Sequence, residues 1–268
     1  MIIIGEKING AIPAVKQAIE SRDEALIVER TLAQVKAGAN FLDCAPSTAT
    51  EAEYDTMVWL IGLMQGCTDT PLCIDSPDAA LLARILDEGL VKKPGIVNSV
   101  SEEGNKCELI FPRIAGTDWE VVGLTCDQNG IPADPEQKVE IAKRIIDKAD
   151  RYGVARKNLH IDPCVMALAT TPSAMEDFAY CIRRIHEYAP EVKVTGAISN
   201  ISFEMPARKY VNMNCMAYAM AAGLDSAILD PTSADMMGTV YACEALRMLD
   251  KGGRKYNRAY RKGLFGKK

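Results

Sequence analysis

Polar side chains close eight short apolar runs that are spaced along the whole chain. Most of these side chains are carboxylates or amides, and histidine is rare, with 2 residues in 268. They are Glu6 and Asn9, Asp43, Asp75 and Ser76, Asn98 and Ser99, Thr125 and Asp127, Asp162, Ser199 and Asn200, and Asp230. A carboxylate accepts paired N–H bonds, and an asparagine amide can both donate and accept. Such a set is suited to a flat heterocycle that carries donors and acceptors on one edge, as a pterin does.

Other uses of these residues stay open on sequence grounds. A terminal aspartate can cap the helix that follows it, which applies to Asp75 and Asp162. Cys44, Cys126 and Cys164 follow strands and could meet around zinc, although their spacing matches no ligand signature and buried thiols are the simpler interpretation. Paired carboxylates could hydrolyse a glycoside, but sugar sites usually add aromatic platforms, and aromatic residues are only 6% of the chain. We therefore expect no metal bound by this chain.

The apolar runs are predicted to be parallel strands, because longer amphipathic stretches alternate with them. The predicted strands are 2–5, 40–44, 71–76, 95–100, 120–126, 159–163, 194–199 and 225–230. In the sixth of these strands, His160 is expected to point outward or into packing. The predicted helices are 23–37, 51–65, 77–89, 103–114, 134–152, 172–188, 212–222 and 234–249. Eight alternating units predict an α/β fold of the (β/α)8 TIM barrel type, in which the carboxyl ends of the strands form the active site. The chain has no GxGxxG string, so a dinucleotide loop is not expected.

Composition predicts a single cytoplasmic barrel domain over residues 1–250. A chain of 268 residues with 48% hydrophobic residues can bury the core of one barrel. Nine cysteines without a CxxC pair suit reduced thiols, and the start of the chain carries neither a secretory signal nor an apolar run long enough for a membrane span. A net charge of -5 argues against general binding to nucleic acid or anionic membranes.

The last residues differ from the rest in charge. Residues 251–268 contain eight basic residues and no acidic one. We predict a solvated, partly disordered basic C-terminal tail, with docking of an acidic partner as the alternative.

The strings at the strand ends resemble those of the methyltetrahydrofolate:corrinoid methyltransferase family, which shares a pterin-binding barrel with dihydropteroate synthase. The matching strings are IIIGEKING at 2–10, CIDS at 73–76, IVNSV at 96–100, GLTCDQNGIP at 123–132, IDP at 161–163, SNIS at 199–202 and AYAMAAGLDSAILD at 217–230. They follow one another in order and cover nearly the whole chain. The resemblance implies SN2 transfer of a methyl group between N5 of tetrahydrofolate and the cobalt of a corrinoid protein.

The same resemblance implies roles for individual residues. Asp75, Asn98 and Asp162 would hold the pterin, Asn200 would lie next to N5, and Asp75 and Asp162 would tune the charge of the ring. The remaining expected members of the folate site are Gly196, Ser199 and Arg208, with Glu6, Asn9 and Asp43 around them. Ser202 and Phe203 would face the corrinoid, although some family members carry glutamine in place of Phe203.

The corrinoid is expected on a separate protein, because the chain has no DxHxxG corrinoid string. The family also implies a homodimer. The alternatives are a dihydropteroate synthase, which the run from Ile8 to Pro13 disfavours because that enzyme has an NVTPDSF-like segment there, and a non-catalytic pterin-binding protein. The sequence leaves the direction of transfer and the ultimate methyl donor open.

Overall fold

Eight parallel strands form the centre of the computed structural model, which describes residues 1–266. The strands are β1 (Ile2–Gly5), β2 (Phe41–Cys44), β3 (Leu72–Asp75), β4 (Ile96–Glu102), β5 (Glu120–Asp127), β6 (Leu159–Asp162), β7 (Lys193–Val194) and β8 (Ser226–Leu229). Their order is β7-β6-β5-β4-β3-β2-β1-β8, and a parallel bridge between Ala197 and Ile228 brings the two ends together. The predicted α/β TIM barrel is confirmed.

Helices surround the strands and connect them. They are α1 (Pro13–Ser21), α2 (Glu24–Ala37), α3 (Thr50–Cys67), α4 (Ala79–Asp87), α5 (Lys106–Ile114), α6 (Pro135–Tyr152), α7 (Ala174–Tyr188), α8 (Arg208–Ala222), α9 (Ala234–Leu246) and α10 (Arg254–Arg261). The start of α6 illustrates how local residues determine where a helix begins. Asp134 accepts from the Glu136 N–H at 3.0 Å, and Pro135 occupies the first turn. Within residues 1–266, no helix has the length and apolar character needed to cross a membrane.

Alternation along the strands sends one set of side chains into the barrel. Ile4, Cys73, Ile96 and Val122 form a small buried cluster, separate from the larger core between strands and helices. Successive side chains of a strand point to opposite faces, so a residue two positions beyond a member of this cluster also points inward. The inward residues reached in this way at the carboxyl ends include Glu6, Asp75 and Asn98.

The seventh strand is shorter than predicted. Residues 194–199 were expected to be extended, but β7 ends at Val194, and residues Ile198–Ser202 form a 3-10 helix. A side chain at Gly196 would come within 2.7 Å of Phe178 Cζ and 3.0 Å of Val165 Cγ2. The chain therefore passes close to α7 at Gly196 and turns immediately afterwards.

The predicted basic tail is folded over most of its length. Residues 254–261 form α10, and Phe265, which is 7% exposed, packs against Tyr241, Tyr256 and Tyr260. The prediction of a partly disordered tail is therefore wrong for these residues. The tail folds because its aromatic residues make an apolar contact with α9. Positions 267 and 268 of the predicted tail lie outside the described residues.

Candidate active site

The inner ends of β2, β3 and β4 bring carboxylates and an amide together. Asp75 and Asn98 are opposite each other in the pairing of β3 with β4, and Asp43 is opposite Cys73 in the pairing of β2 with β3. Asp43 is 1% exposed, and burial raises its pKa well above the usual range, with a further contribution from the negative charges of Asp75 and Glu6. The predicted residues of these strands therefore share one site.

Asp75 lies close to a buried glutamate, Glu53, whose charge acts on it. Burial raises the pKa of Asp75 to about 7, and the negative charge of Glu53 contributes to the rise. Glu53 lies in the first turn of α3, where its Oε1 accepts from the Ser76 hydroxyl at 2.6 Å. The capping alternative is wrong for Asp75, because Asp78 caps α4 by accepting from the Ala80 and Leu81 N–H groups. Sequence reasoning missed Glu53, since nothing in a helix distinguishes a glutamate that faces inward from a solvated one.

Asp162 faces the mouth of the barrel from β6. It is 6% exposed, and burial raises its pKa to about 6. One carboxylate oxygen, Oδ1, accepts from the Cys164 N–H at 2.7 Å. The capping alternative is also wrong here, because the next helix, α7, begins only at Ala174. One carboxylate oxygen thus closes a local turn, and the other can accept a hydrogen bond from a ligand.

Asn200 lies in the 3-10 segment Ile198–Ser202 at the rim of the mouth. Its amide makes no hydrogen bond within residues 1–266, so its donor and acceptor are available to a ligand. Arg208 holds this segment in place: its Nη2 donates to the Ser199 carbonyl at 2.7 Å and its Nε to the Ser202 hydroxyl at 2.9 Å. Its guanidinium also lies 5.0 Å from the centre of the exposed Phe203 ring.

Glu6 connects the first strand to the same segment. Its Oε2 accepts from the Ser199 hydroxyl at 3.4 Å. Burial raises the pKa of Glu6, and the charge of Asp230 adds to the rise, whereas Lys7 and Arg208 oppose it. Glu6 thus belongs to the polar wall of the mouth, where charges of both signs lie close together.

Two predicted members have a visible structural role. The Asn9 side-chain oxygen accepts from the Ala11 N–H at 2.9 Å and from the Ser47 hydroxyl at 3.2 Å, which fixes the loop after β1. Gly196 allows the close approach to Phe178 described above. Contact of either residue with a folate stays a prediction.

The opposite end of the barrel contains a second polar layer. His160 was expected to point outward or into packing, but its ring lies inside, fully buried, with Nδ1 2.8 Å from the Ser226 hydroxyl and Nε2 2.5 Å from Glu120 Oε2. Lys193 Nζ lies 2.6 Å from the same carboxylate oxygen. This correction follows from the phase of β6: if Asp162 points inward, so does the residue two positions before it. The layer closes the floor of the barrel.

Of the three thiols considered as zinc ligands, Cys44 lies apart from Cys126 and Cys164. Cys44 Sγ lies 3.6 Å from Met57 Sδ, on the helix side of β2, whereas Cys164 Sγ lies 3.8 Å from Thr125 Oγ1. Burial raises the pKa of Cys44, Cys126 and Cys164. No group of three histidine, cysteine or acidic side chains within residues 1–266 is arranged to hold a metal ion.

An apolar groove of about 380 Å³ lies beside the polar mouth. Its lining residues are Leu168, Met175, Ile201, Tyr210, Val211, Asn214, Cys215 and Tyr218. Ile201 belongs to the 3-10 segment that carries Asn200, so the groove and the mouth share a wall. The groove lacks the carboxylates of the mouth, and the chemistry therefore belongs to the mouth.

Comparison with known proteins shows the family to which this chain is similar. The sequence profile of the pterin binding enzyme family matches residues 14–230. A methylcorrinoid:tetrahydrofolate methyltransferase of Eubacterium limosum is 47% identical over 268 residues, which are 99% of this chain and 98% of that protein. A methionine synthase of Mycobacterium tuberculosis is 29% identical over 245 residues, 85% of this chain but only 20% of that protein.

Solved structures with the same fold are more distant in sequence. The dihydropteroate synthase of Xanthomonas albilineans in complex with 7,8-dihydropteroate has a TM-score of 0.66 and 17% identity, with 92% of each chain covered. The enzyme of Yersinia pestis with a pterine-sulfa conjugate has a TM-score of 0.66 and 17% identity, over 92% of this chain and 94% of that one. At this identity the likeness shows the barrel fold alone.

Proposed function

We propose that this chain, which belongs to the pterin-binding enzyme family, is a methyltransferase that moves a methyl group between N5 of tetrahydrofolate and the cobalt of a corrinoid protein. The observation that carries the proposal is the 47% identity, over 99% of this chain, to a methylcorrinoid:tetrahydrofolate methyltransferase. The inward carboxylates and amide of the barrel mouth agree with it, because they match the donor edge of a pterin.

We place the pterin ring between Asp75, Asn98 and Asp162. The two carboxylates accept N–H groups from the ring, and the Asn98 amide accepts one group and donates another. Asn98 and Asp162 are buried and Asp75 is partly buried, and a hydrogen bond to a charged group in such surroundings contributes more than one in water. The position of these side chains inside the mouth supports the assignment.

Asn200 is the residue that we assign to N5. A tertiary amine is a poor leaving group, so N5 must gain positive character before its methyl group can leave. In the reverse direction the neutral N5 attacks the methyl group. An amide can accept from a protonated N5 and donate to a neutral one, so the same side chain supports both states. Orientation and electrostatic support of this kind need no strong base or nucleophile from the protein.

The corrinoid, carried by a separate protein, supplies or accepts the methyl group at its cobalt. We propose that it approaches the rim formed by Ser202 and the exposed Phe203, next to Asn200. Arg208 braces this rim through Ser199 and Ser202, which keeps Asn200 in place while a large partner docks. The Eubacterium relative is named for transfer from a methylcorrinoid to tetrahydrofolate, and we propose the same direction here.

We further propose a cytoplasmic homodimer. All nine cysteines are free thiols, which suits a reducing compartment. Several aromatic side chains near the apolar groove are exposed, including Tyr210 at 66% and Tyr218 at 43%, and they would suit a contact between subunits. Light scattering of the purified protein tests the dimer, because a monomer mass at micromolar concentration contradicts it.

Methyl transfer itself is tested by following the cobalt spectrum. The protein is mixed with tetrahydrofolate and methylcobalamin, and demethylation of the corrinoid is recorded by absorbance. We expect a change that depends on both the protein and tetrahydrofolate. Folate binding without any spectral change, with free and with protein-bound corrinoid, would instead favour a non-catalytic pterin-binding protein.

A further inference from the structure

One lysine is buried directly behind the mouth of the barrel. Lys138 lies in the first turn of α6, and only 3% of it is exposed. Its Nζ donates to the carbonyl oxygen of Cys164 at 3.1 Å. Within residues 1–266 it forms no salt bridge with a carboxylate. Burial and the positive end of the helix dipole both oppose a cation at this place, so its presence needs a reason.

The partner of Lys138 has an unfavourable backbone conformation. Cys164 has a φ of +61°, in the left-handed region that residues other than glycine rarely adopt. The turn at Cys164 makes two polar contacts in opposite directions. Its carbonyl accepts from Lys138, and its N–H donates to Asp162 Oδ1 at 2.7 Å. Asp162 Oδ2 makes no hydrogen bond within residues 1–266 and is therefore free to meet a ligand.

We propose that Lys138 is a positioning residue for the folate, because its hold on the Cys164 carbonyl fixes the turn that aims the Asp162 carboxylate at the pterin. This inference rests on the proposed function, since it takes the pterin as the ligand of Asp162. The lysine also has an electrostatic effect. Its positive charge opposes the rise that burial causes in the pKa of Asp162, which is about 6. Lys138 thus favours the anionic carboxylate, in addition to the larger effect of the Cys164 N–H.

The other ionisable groups near this turn do not include a carboxylate that acts on Asp162. Burial raises the pKa of the Cys164 thiol to about 12 and also raises the pKa of the Cys126 thiol of β5. Burial likewise raises the pKa of the Cys181 thiol of α7 to about 12, although the charge of Lys138 opposes the rise. The carboxylates of Asp134, Glu136 and Asp177 act on Cys181 but not on Asp162. His160 belongs to the floor of the barrel, where it contacts Glu120.

Two substitutions separate the hydrogen bond from the charge. Lys138→Met removes both, whereas Lys138→Gln keeps a donor for the Cys164 carbonyl and removes only the charge. In both variants the pH midpoint for tetrahydrofolate binding should rise by about one unit, because a nearby opposite charge lowers the pKa of a carboxylate by about 1–3 units. The affinity of Lys138→Gln should fall up to about tenfold below pH 6 and return towards the wild-type value above about pH 8. The affinity of Lys138→Met should stay below the wild-type value at every pH, because the turn has also lost its hydrogen bond. Calorimetric titration with tetrahydrofolate across this pH range measures the affinity and its pH midpoint.

Lys148→Met is the matched control. Lys148 lies in the same helix, with Nζ 2.8 Å from Glu102 and 3.1 Å from Glu108, and it does not act on Asp162. Its loss should leave the pH midpoint unchanged. An equal shift in the control, or an unchanged midpoint in both Lys138 variants, overturns the proposal.

A second measurement does not need folate. NMR titration of isotope-labelled aspartate carboxyls in the ligand-free protein should show the Asp162 signal, assigned with Asp162→Asn, titrating about one unit higher in the Lys138 variants. If the wild-type protein binds no tetrahydrofolate, the proposed function fails, but this titration still decides the role of Lys138. If neither variant folds, the NMR signal of the Lys138 ammonium group in the wild-type protein decides the role of Lys138. That signal should be protected from solvent exchange and shift as Asp162 titrates, and its absence contradicts the proposal.

Discussion

Asp75 and Asp162 combine burial with an expected role in binding. Burial raises the pKa of Asp75 to about 7 and that of Asp162 to about 6. Each carboxylate therefore gains its charge only near neutral pH, and a pterin that donates N–H groups to both should bind more tightly as the pH rises through this range. The protein surroundings thus favour the neutral acids, whereas binding of the pterin needs the ionised carboxylates. Perturbed pKa values of this kind are common at functional sites.

Asp75→Asn tests this conflict between stability and binding. The pKa of Asp75 is raised above its unfolded value, so the folded state holds the proton more tightly and loses stability as the pH rises from about 4 through about 7. The neutral asparagine avoids this loss, and we expect the variant to be more stable at pH 8 by roughly 1–3 kcal/mol. Its folate affinity should fall about 10- to 100-fold, because an acceptor pair is lost.

Thermal unfolding at pH 5 and pH 8, together with folate titration, measures both effects. The stability gain should shrink at pH 5, where Asp75 is already protonated in the folded state. A variant that is less stable at pH 8 and binds folate normally contradicts the assignment of Asp75.

Asn200→Ala tests the residue assigned to N5. We expect the transfer rate to fall by about 10²-fold, as for the loss of one positioned hydrogen-bond donor, while the folate affinity changes much less. Stopped-flow recording of the cobalt spectrum measures the rate, and equilibrium titration measures the affinity. Equal losses in both quantities argue that Asn200 only binds the folate.

At the scale of elements, the short seventh strand determines where Asn200 can lie. A full-length β7 would continue the wall of the barrel, whereas the observed chain leaves the sheet after Val194 and forms a 3-10 helix that leans over the mouth. Two features allow this path. Gly196 passes close to Phe178, and Arg208 from α8 ties the segment down through Ser199 and Ser202.

Gly196→Ala should therefore destabilise the protein. The added Cβ would lie 2.7 Å from Phe178 Cζ and 3.0 Å from Val165 Cγ2, and such overpacking costs about 1–3 kcal/mol. Gly62→Ala is the control, because it lies inside α3 and no atom beyond the adjacent residues and nearby backbone of its own helix lies within 4 Å of its added Cβ. That change should stabilise the protein by up to about 1 kcal/mol. Urea unfolding measures the change in the free energy of unfolding of each variant. Similar changes in the two variants contradict the packing argument.

At the scale of the whole molecule, charge is unevenly distributed. Residues 251–268 carry eight basic and no acidic residues in a chain whose net charge is -5. The helix α10 begins near Glu244, which contacts Lys255 at 3.4 Å and the amino group of Met1 at 2.7 Å. Met1 precedes β1, so this part of α10 lies at the end of the barrel opposite the mouth.

Reversing charge on α10 tests whether it helps a corrinoid protein to dock. Arg254→Glu, Arg258→Glu and Arg261→Glu together should leave methyl transfer unchanged with free methylcobalamin, because α10 begins at the end of the barrel opposite the mouth. The same result is expected with a protein-bound corrinoid. A slower rate with the protein-bound form alone, together with a weaker salt dependence, would restore α10 as a docking element.

The sequence by itself determined the barrel and most of the residues at its mouth. Eight apolar runs that alternate with amphipathic helices allow few other architectures, and the carboxyl ends of parallel strands must meet at one face. Asp75, Asn98 and Asp162 each close such a run, and the resemblance to the methyltransferase family singled them out from the other strand-end residues. Helix starts such as Asp134 followed by Pro135 were also readable, since capping is a local interaction.

Only the tertiary structure decided what surrounds these residues. Strands that are buried on both faces carry little sign of which face points inward, so the inward position of His160 was missed. Glu53 and Lys138 lie on helices and reach the mouth only through contacts with residues far away in sequence, Ser76 and Cys164. Local periodicity does not record such contacts, because they arise when the helices pack on the closed barrel.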